Sequence, residues 1–350
     1  MKSTQSIRED IIENRFLKET KSFQSYLSKI KADLDQFDEL NPSTKEQESR
    51  IEQLNNEFLP HAVAHFNKVW GMIKDLPKNE LEIYQSFYQQ RILPFLGEAE
   101  INRHIYRKPF GYAGDFVTMN YIYDNYDKFL GASSFEKLIN KLTCMIKNSL
   151  SNIARKEFLK EQIAGIIEEK GSNVKIASIA SGPARELLEL LKENKVNVAV
   201  DYICFDFENR ALSFIKEQYE SLSSDVKKNV KISFINNNVV DVIRKPAVRK
   251  KLYGQDLIYA FGIYDYLSDI VSRKLTHSLF ECLNEQGKLV LCNVSSDKSD
   301  CRTYFEFLGE WYMIYRTKAE MLQWVNGLQA KEVRFRDEPN EAYLYLLVRK

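Results

Sequence analysis

The sequence predicts an α/β protein with a doubly wound, largely parallel sheet and a separate all-helical N-terminal region. Three observations support this prediction. Apolar residues recur at helical spacing over residues 7–96, short strand-like runs alternate with helical stretches after residue 150, and two strand-like segments end the chain. Such alternation is typical of a parallel sheet covered by helices. We therefore expect two domains, residues 1–132 and residues 133–350.

The composition limits the classes of function. With 350 residues, 44% of them hydrophobic, the chain can bury a core in each domain. A formal net charge of +1 argues against a dedicated nucleic-acid-binding protein. Five cysteines without C-x-x-C spacing indicate reduced thiols rather than disulfides or a zinc site. Charges are spread over the N-terminal residues, and no apolar run approaches the ~20 residues of a membrane span, so we expect a soluble, cytoplasmic protein.

The N-terminal region is predicted to form amphipathic helices, because its apolar residues recur at intervals of three and four with charges between them. These helices could also mediate homodimerisation. A long helix over residues 135–170 should connect the two domains. Ser133 and Glu136 have the spacing of a capping box at its start, and Gly171 can supply the left-handed stop at its end.

The predicted sheet follows this helix. Strands are expected at residues 174–180, 198–205, 231–235, 256–261 and 288–293, and helices at residues 184–194, 211–219 and 270–283. Two further strands, residues 330–337 and 342–349, flank a turn-rich segment and should form a hairpin that closes the sheet. Simple dinucleotide-binding halves need no such ending.

The turn after the first strand consists of small residues, Ala180, Ser181 and Gly182, followed by Pro183. Doubly wound sheets bind ligands at such turns, and small side chains let a ligand approach the backbone. A pyrophosphate needs several backbone N–H donors, but Pro183 has none, and two of the three glycine positions of G-x-G-x-x-G are not met. A nucleoside without phosphates fits this turn better; an ordinary tight turn is the alternative.

Polar residues follow the next two strands. Asp206 ends the second strand, where an acid can accept hydrogen bonds from both ribose hydroxyls. Its alternative role is to cap the helix that starts near Asn209. The third strand runs into three asparagines ending at Asn238, where a side-chain amide could meet an adenine edge, although asparagines are also good loop formers.

The fourth strand leads into Phe261, Gly262, Tyr264 and Asp265. Residues at the carboxyl end of a central strand are expected at the mouth of the ligand site, where the chemistry would take place. Burial of the aromatic rings in the core is the alternative.

These segments and the closing hairpin resemble the class I S-adenosylmethionine-dependent methyltransferases over roughly residues 135–350. Ser178 occupies the place where that fold often has an acid, and Ala180 and Ala184 replace glycines. The sequence S-G-P-A-R-E, residues 181–186, nevertheless resembles one subgroup of these enzymes. The resemblance implies a Rossmann-like, seven-stranded methyltransferase sheet and S-adenosylmethionine as the cofactor.

Two further motifs narrow the resemblance. Residues 107–120, R-K-P-F-G-Y-A-G-D-F-V-T-M-N, and residues 311–317, W-Y-M-I-Y-R-T, are similar to bacterial methyltransferases of 3-hydroxypalmitic acid methyl ester biosynthesis. This similarity implies that the acceptor is the carboxyl group of a hydroxylated fatty acid or a related metabolite. The helical N-terminal part would then form a lid over the site.

The residues of the first motif support such a lid. Gly111 and Gly114 bracket Tyr112 and allow a sharp turn of the backbone, and Asp115 precedes an apolar helical run. Seven of the 19 tyrosines lie between residues 84 and 126, and their flat apolar rings with polar tips suit a ligand pocket. A helix-capping turn in an aromatic core is the alternative.

A carboxylate acceptor is ionised at neutral pH and needs no general base, but it would bind to a cation. Arg103, Arg107 and Lys108 stand just before the glycines of the lid and are the candidates. Solvated surface charge is their alternative role.

No metal site is predicted. His61 and His65 are four residues apart, but they lack the further ligands of a known metal motif and are expected in the core or at the surface. Asp115 and His104 leave open a metal near the acceptor.

The candidate residues fall into three groups. The expected cofactor-binding residues are Ala180, Ser181, Gly182, Pro183, Asp206, Asn238, Phe261 and Gly262. The expected catalytic or acceptor-shaping residues are Tyr112, Asp115 and Tyr264. The expected substrate-binding residues are Arg103, Arg107, Lys108 and Asp265.

Three alternative functions stay open. The protein could methylate a nitrogen, carbon or oxygen of another natural product, or it could be an inactive methyltransferase fold that serves as an interaction module. The missing glycines and the serine at position 178 are features expected of a methyltransferase fold that has lost its activity. A nicotinamide-dependent oxidoreductase is opposed by Pro183 and by the closing hairpin.

Overall fold

The computed structural model of the chain describes residues 12–350, so the start of the helical pattern, residues 7–11, lies outside the described residues. The chain divides into two compact units. One extends to Leu150 and includes Asp300–Tyr312, and the other comprises Ser151–Ser299 and Met313–Lys350. The division therefore falls after Leu150 rather than after residue 132, and a later segment joins the N-terminal unit.

The first unit is helical, and each long helix buries its apolar face. Its helices are α1 (Asn14–Glu39), α2 (Thr44–Ile73), α3 (Lys78–Leu96), α4 (Glu100–Arg107), α5 (Phe116–Asn125) and α6 (Ser134–Met145), with a π-helical turn at Thr303–Leu308. Along α1 the buried side chains recur every three or four positions, at Phe16, Thr20, Phe23, Leu27, Ile30 and Leu34. Because α6 packs against α1 and α2, this unit continues beyond residue 132.

The predicted helix over residues 135–170 is in fact two helices. α6 ends before Ile146, whose extended backbone (ψ 150°) separates it from α7 (Lys147–Lys170). The Ser149 hydroxyl donates a hydrogen bond to the Thr143 carbonyl at 2.6 Å, so a carbonyl near the end of α6 is satisfied without a further helical turn.

The predicted stop signal of α7 is observed, and half of the predicted capping box of α6 is formed. The Ser133 hydroxyl accepts from the Glu136 N–H at 3.0 Å and caps α6. The Glu136 carboxylate accepts from the Ala132 N–H instead of completing a capping box. Gly171, with a φ of +71°, ends α7 in the left-handed conformation.

Within the described residues, the second unit contains a seven-stranded sheet. Its strands are β1 (Val174–Ile179), β2 (Val200–Asp206), β3 (Val230–Asn236), β4 (Gln255–Ala260), β5 (Leu283–Val294), β6 (Glu332–Asp337) and β7 (Tyr343–Arg349). The strand order is β3-β2-β1-β4-β5-β7-β6; the first five strands are parallel, and β7 is antiparallel to both of its neighbours. This is the Rossmann-like methyltransferase sheet that the sequence predicts, with the closing hairpin at its edge.

Helices pack against this sheet, as in other α/β folds. They are α8 (Arg185–Lys192), α9 (Asn209–Glu220), α10 (Ser224–Lys227), α11 (Val239–Arg244), α12 (Pro246–Arg249), α13 (Asp269–Glu281) and α14 (Lys318–Leu322), with α7 preceding β1. Ala177 and Ile179 of β1 belong to the same apolar core as Ile258 and Ala260 of β4. All five cysteines are buried and have free thiols. Among the described helices, none has the length and apolar character needed to cross a membrane.

The order of the strands determines where a ligand can bind. β2 and β3 lie on one side of β1, and β4 and β5 lie on its other side, so the order in which successive strands are added reverses between β1 and β4. Doubly wound sheets bind their ligands in the crevice at such a switch point. The turns at residues 180–184, 206–208, 236–238 and 261–265 follow the carboxyl ends of four adjacent strands and meet at this edge.

Candidate functional site

The turn between β1 and α8 has a left-handed backbone at Ala180 (φ 55°), Gly182 (φ 51°) and Ala184 (φ 44°). A residue with a Cβ adopts this region at a cost of about 1–2 kcal/mol. Two alanines therefore hold a strained turn at the position where related folds use glycine. Strain of this kind is concentrated at functional sites, where the surrounding structure maintains it.

The backbone N–H groups of this turn are engaged inside the protein. Ser181 N–H donates to a carbonyl of β2 at 3.2 Å, Gly182 N–H to Asp206 Oδ2 at 2.8 Å, and Ala184 N–H to the Ser181 carbonyl at 3.0 Å. Pro183 has no N–H. Residues 181–184 thus have no N–H directed to a pyrophosphate, which agrees with the expectation of a ligand without phosphates.

Asp206 is buried at the end of β2 and is only 5% exposed. Its Oδ1 accepts from the Glu208 N–H at 2.9 Å. The cap of α9 is Glu208, which accepts from the Arg210 N–H at 3.0 Å, so the alternative role of Asp206 as a helix cap is wrong. Burial raises the pKa of Asp206, and the N–H donors of Glu208 and Gly182 oppose that rise.

An open cavity of about 550 Å³, its mouth included, lies at the ligand edge of the sheet. It is lined by Ala180, Asp206, Phe207, Asn237, Asn238, Val239, Val240, Ile263 and Leu267. The cavity brings together three of the expected cofactor-binding residues, from the turns after β1, β2 and β3. Asn238 also caps α11, because its Oδ1 accepts from the Val240 N–H at 2.8 Å.

The apolar wall of this cavity was not predicted. Phe207 is 51% exposed and follows Asp206 directly, and Val239, Val240, Ile263 and Leu267 complete the wall. Apolar residues beside strand ends cannot be told from core residues by their spacing. The one available signal is the position of Phe207, a large aromatic residue immediately after the acid of β2.

The two aromatic residues predicted at the mouth are in the core. The Phe261 ring packs against Phe158 (6.2 Å between centroids) and Tyr345 (5.3 Å), and Phe261 is not among the residues that line the cavity. Tyr264 is fully buried, and its hydroxyl lies 3.0 Å from the Thr276 Oγ1. The expected catalytic role of Tyr264 is therefore corrected to a packing role, since no ligand can reach its hydroxyl.

Asp265 is also buried and engaged by the protein. Its Oδ1 accepts from the Val294 N–H at 2.6 Å. Burial raises the pKa of Asp265 to about 6, although this N–H and the charges of Arg155 and Arg316 lower it. With 2% of its surface exposed, Asp265 does not line the cavity as a substrate-binding residue would.

Gly262 lies three residues before Asp265 and has a φ of +78°, which favours glycine. Arg155, on α7, lies against it: a Cβ built on Gly262 would be 3.6 Å from Arg155 Nη2. The sequence analysis did not select Arg155, because a single arginine in a helix that is rich in charged residues looks like a surface residue.

The cations predicted to bind the acceptor belong to the helical unit. Arg103 Nη1 donates to the carbonyls of Gly97, at 3.1 Å, and Glu98. Lys108 Nζ lies 3.5 Å from Glu310 Oε2. Arg107 is exposed at the end of α4. Arg103 and Lys108 are thus engaged by groups of the protein itself, and the structure favours structural and surface roles for this set.

The lid motif forms a capping turn in the helical unit. Asp115 caps α5 by accepting from the Thr118 N–H at 2.9 Å, and its Oδ2 lies 2.8 Å from His104 Nε2. Tyr112 is partly buried in the loop that precedes this cap. Gly114 packs so closely on Trp311 that a Cβ there would be 2.5 Å from the indole ring. Asp115 is thus a helix cap, as in the alternative interpretation of this motif. A role of Asp115 in catalysis stays a prediction.

Of the two histidines of α2, His65 lies in the helical core and His61 is exposed at the surface. His65 Nδ1 is 3.0 Å from Glu19 Oε1, and its Nε2 is 2.9 Å from the Tyr88 hydroxyl. Burial lowers the pKa of His65 to about 4, against the opposing effect of Glu19. The His61 ring packs on Tyr26, with 4.1 Å between centroids. Both histidines therefore serve packing.

Comparisons with known proteins show the fold. No protein-family model and no curated protein matches the chain. Among solved structures, a possible exported protein from Bordetella parapertussis is 17% identical, with a TM-score of 0.56 over 75% of this chain and 87% of that chain. The CMeT domain of the citrinin polyketide synthase is 11% identical (TM-score 0.47; 77% and 69% covered), and so is an O-methyltransferase family protein from Burkholderia thailandensis (TM-score 0.44; 77% and 70% covered). The first of these likenesses shows that the two proteins share a fold. The strand order of the second unit is that of the Rossmann-like methyltransferase sheet that the sequence predicts.

Proposed function

We propose that the protein transfers a methyl group from S-adenosylmethionine to a small-molecule acceptor, the carboxylate of a hydroxylated fatty acid. One observation carries the choice of cofactor. The N–H groups of the turn at residues 181–184 are bonded within the protein, while Asp206 beside them lines an open cavity. This combination suits a nucleoside that has ribose hydroxyls but no phosphates.

The cavity has the groups that an adenosine moiety needs. An ionised carboxylate can accept about four hydrogen bonds, so Asp206 has capacity for ribose hydroxyls beyond its bonds to Gly182 and Glu208. Phe207, Val239 and Val240 supply apolar surface for a purine ring. The Asn238 carboxamide lies in the same wall and can pair with a polar edge of the base.

The chemistry requires few side chains of the protein. When bound, S-adenosylmethionine supplies a methyl group on a positively charged sulfur, which keeps the electron pair of the broken S–C bond as the methyl forms its new bond to a carboxylate oxygen. A carboxylate is already ionised at neutral pH, so the protein needs no general base and mainly orients the reactants and excludes water. This agrees with the burial of Tyr264 and Asp265, neither of which is placed to take a proton from a substrate.

The acceptor class is supported by the motifs at residues 107–120 and 311–317, which are similar to those of the fatty-acid methyltransferases. Ile263 and Leu267 add apolar surface to the cavity wall.

Methyl transfer can be tested directly. The purified protein is incubated with tritiated S-adenosylmethionine and 3-hydroxypalmitate, and the organic extract is analysed for the labelled methyl ester. We expect label in the ester with the wild-type protein and strongly reduced label with Asp206→Ala, whereas Asp201→Ala, an exposed residue of the same strand, should behave as wild type. In a second reaction a cell extract replaces 3-hydroxypalmitate. Label in protein or polar metabolites of that extract, without label in the ester, would contradict the proposed acceptor. No methyl transfer and no cofactor binding would favour an inactive interaction module.

A further inference from the structure

The carboxamide of Asn236 bridges two successive peptide groups at the end of β2. Its Nδ2 donates to the Asp206 carbonyl at 3.1 Å and to the Phe207 carbonyl at 2.9 Å. An amide NH₂ carries two hydrogens, so one nitrogen can make both bonds, and both distances are normal for N–H···O hydrogen bonds. The two peptide groups flank a single Cα atom, that of Phe207.

These bonds extend the contact between β2 and β3 beyond the residues that pair in the sheet. The pairing of the two strands ends at Asp206 and Asn236. The Asp206 carbonyl still accepts from the Asn237 N–H at 3.0 Å, but the Asn238 N–H donates to Asn237 Oδ1 at 2.9 Å. The Asn236 side chain thus supplies a donor to the Phe207 carbonyl where the next N–H of the chain is engaged elsewhere.

The peptide group between Phe207 and Glu208 is held from both sides. Its carbonyl accepts from Asn236, and its N–H donates to Asp206 Oδ1 at 2.9 Å. Peptide groups are planar, so each residue has only two soft backbone dihedrals. Because the peptide groups before and after Phe207 are both bonded, both dihedrals of Phe207 are restrained, and with them the direction of its Cα–Cβ bond.

The direction of this bond matters for the cavity. Phe207 lines the cavity together with Asp206, and it is 51% exposed. The core confines a half-exposed ring less than a buried one, so the placement of the ring depends on the backbone that carries it. A binding group that is already in place in the free protein loses less conformational freedom when a ligand binds, and this preorganisation increases affinity.

We propose that Asn236 is a positioning residue for the methyl donor: through the backbone, it places the Phe207 ring against the purine base. This inference rests on the proposed function. It gives a role to an asparagine that does not itself line the cavity. A role limited to the stability of the edge formed by β2 and β3 is the alternative, and the two roles predict different results.

A double-mutant cycle, measured by isothermal titration calorimetry with S-adenosylhomocysteine, distinguishes them. Asn236→Ala removes both donors and should weaken binding about three- to tenfold, as expected for the loss of neutral hydrogen bonds. Phe207→Ala removes the ring and should weaken binding about 5- to 100-fold, the range for stacking of a base on an aromatic side chain. In the double variant, binding should be at most about twofold weaker than in Phe207→Ala alone, because no ring is left to position.

A second substitution at the same position tests the need for a donor. Asn236→Asp keeps the shape of the side chain but places a carboxylate oxygen opposite the two carbonyls, so it should weaken binding at least as much as Asn236→Ala. Ser233→Asp is the matched control, because it adds the same charge at an exposed position of β3, and it should bind within about twofold of wild type. Asn236 is itself exposed, so we expect all its variants to fold, as checked by thermal denaturation.

Equal weakening by Asn236→Ala with and without the Phe207 ring would overturn the positioning role. Unchanged binding in either single alanine variant would overturn it as well. In these cases the wild-type protein still binds S-adenosylhomocysteine, so the proposed function is not affected. Failure of the wild-type protein to bind S-adenosylhomocysteine would overturn the proposed function, and this inference with it.

Discussion

Replacing Asp206 by asparagine separates the two tasks of this side chain, because it accepts hydrogen bonds inside the protein and faces the cavity. Its two oxygens accept from the N–H groups of Gly182 and Glu208. Asparagine has one carbonyl oxygen, so one buried N–H is left opposite an NH₂ group. Leaving a buried donor unsatisfied costs about 1–3 kcal/mol, and we expect the free energy of unfolding to fall by that amount.

The Asp206→Asn substitution should also weaken ligand binding, beyond any effect of the lower stability. Hydrogen bonds to an ionised acceptor contribute about 1.5–3 kcal/mol, compared with about 1 kcal/mol for neutral ones. The ribose hydroxyls of S-adenosylhomocysteine should therefore bind Asp206→Asn at least about tenfold more weakly than wild type. Calorimetry gives the affinity, and urea denaturation shows that the variant is folded under the assay conditions.

The control for this substitution is Asp201→Asn, at an exposed position of the same strand, for which stability should stay within about 0.5 kcal/mol of wild type and affinity should not change. The reasoning would be refuted by a folded Asp206→Asn protein that binds S-adenosylhomocysteine within twofold of wild type.

Three further predictions concern the rest of the molecule. Burial lowers the pKa of His65 to about 4 in the folded protein, whereas the unfolded chain takes up the proton near pH 6.5. The free energy of unfolding should therefore fall by about 3 kcal/mol between pH 6.5 and 4, as measured by urea denaturation. His65→Gln should make this pH dependence weaker. Gly114→Ala places a Cβ 2.5 Å from Trp311, so it should lower the free energy of unfolding by about 1–3 kcal/mol and alter the tryptophan fluorescence, whereas Gly165→Ala, in a helix with open space, should be neutral or stabilising. Tyr264→Phe should cost about 1 kcal/mol of stability and leave methyl transfer unchanged; a tenfold loss of turnover would return Tyr264 to the reaction.

The sheet was predictable because its strands carry a strong local signal. Each expected strand is present within a few residues of its predicted position, and the turn at Glu338 led correctly to the closing hairpin. The break at Ile146 was not predictable, because it depends on a hydrogen bond between Ser149 and Thr143 that the helical pattern on either side conceals.

The lining of the cavity was predictable where it depends on position along a strand. Asp206 and Asn238 lie at strand ends, so sheet topology brings them to one cavity. Tyr264 and Asp265 also follow a strand end, but a turn of the chain directs both side chains into the core. Arg155 comes from a helix about 100 residues earlier in the chain, and only tertiary packing places it beside Gly262.

The preference for a nucleoside without phosphates is tested most directly by titrating the wild-type protein with S-adenosylhomocysteine and, separately, with NADH. Because the N–H groups of the turn at residues 181–184 are already bonded within the protein, we expect saturable binding of S-adenosylhomocysteine and no measurable heat of binding with NADH. Binding of NADH in the absence of any binding of S-adenosylhomocysteine would contradict the account.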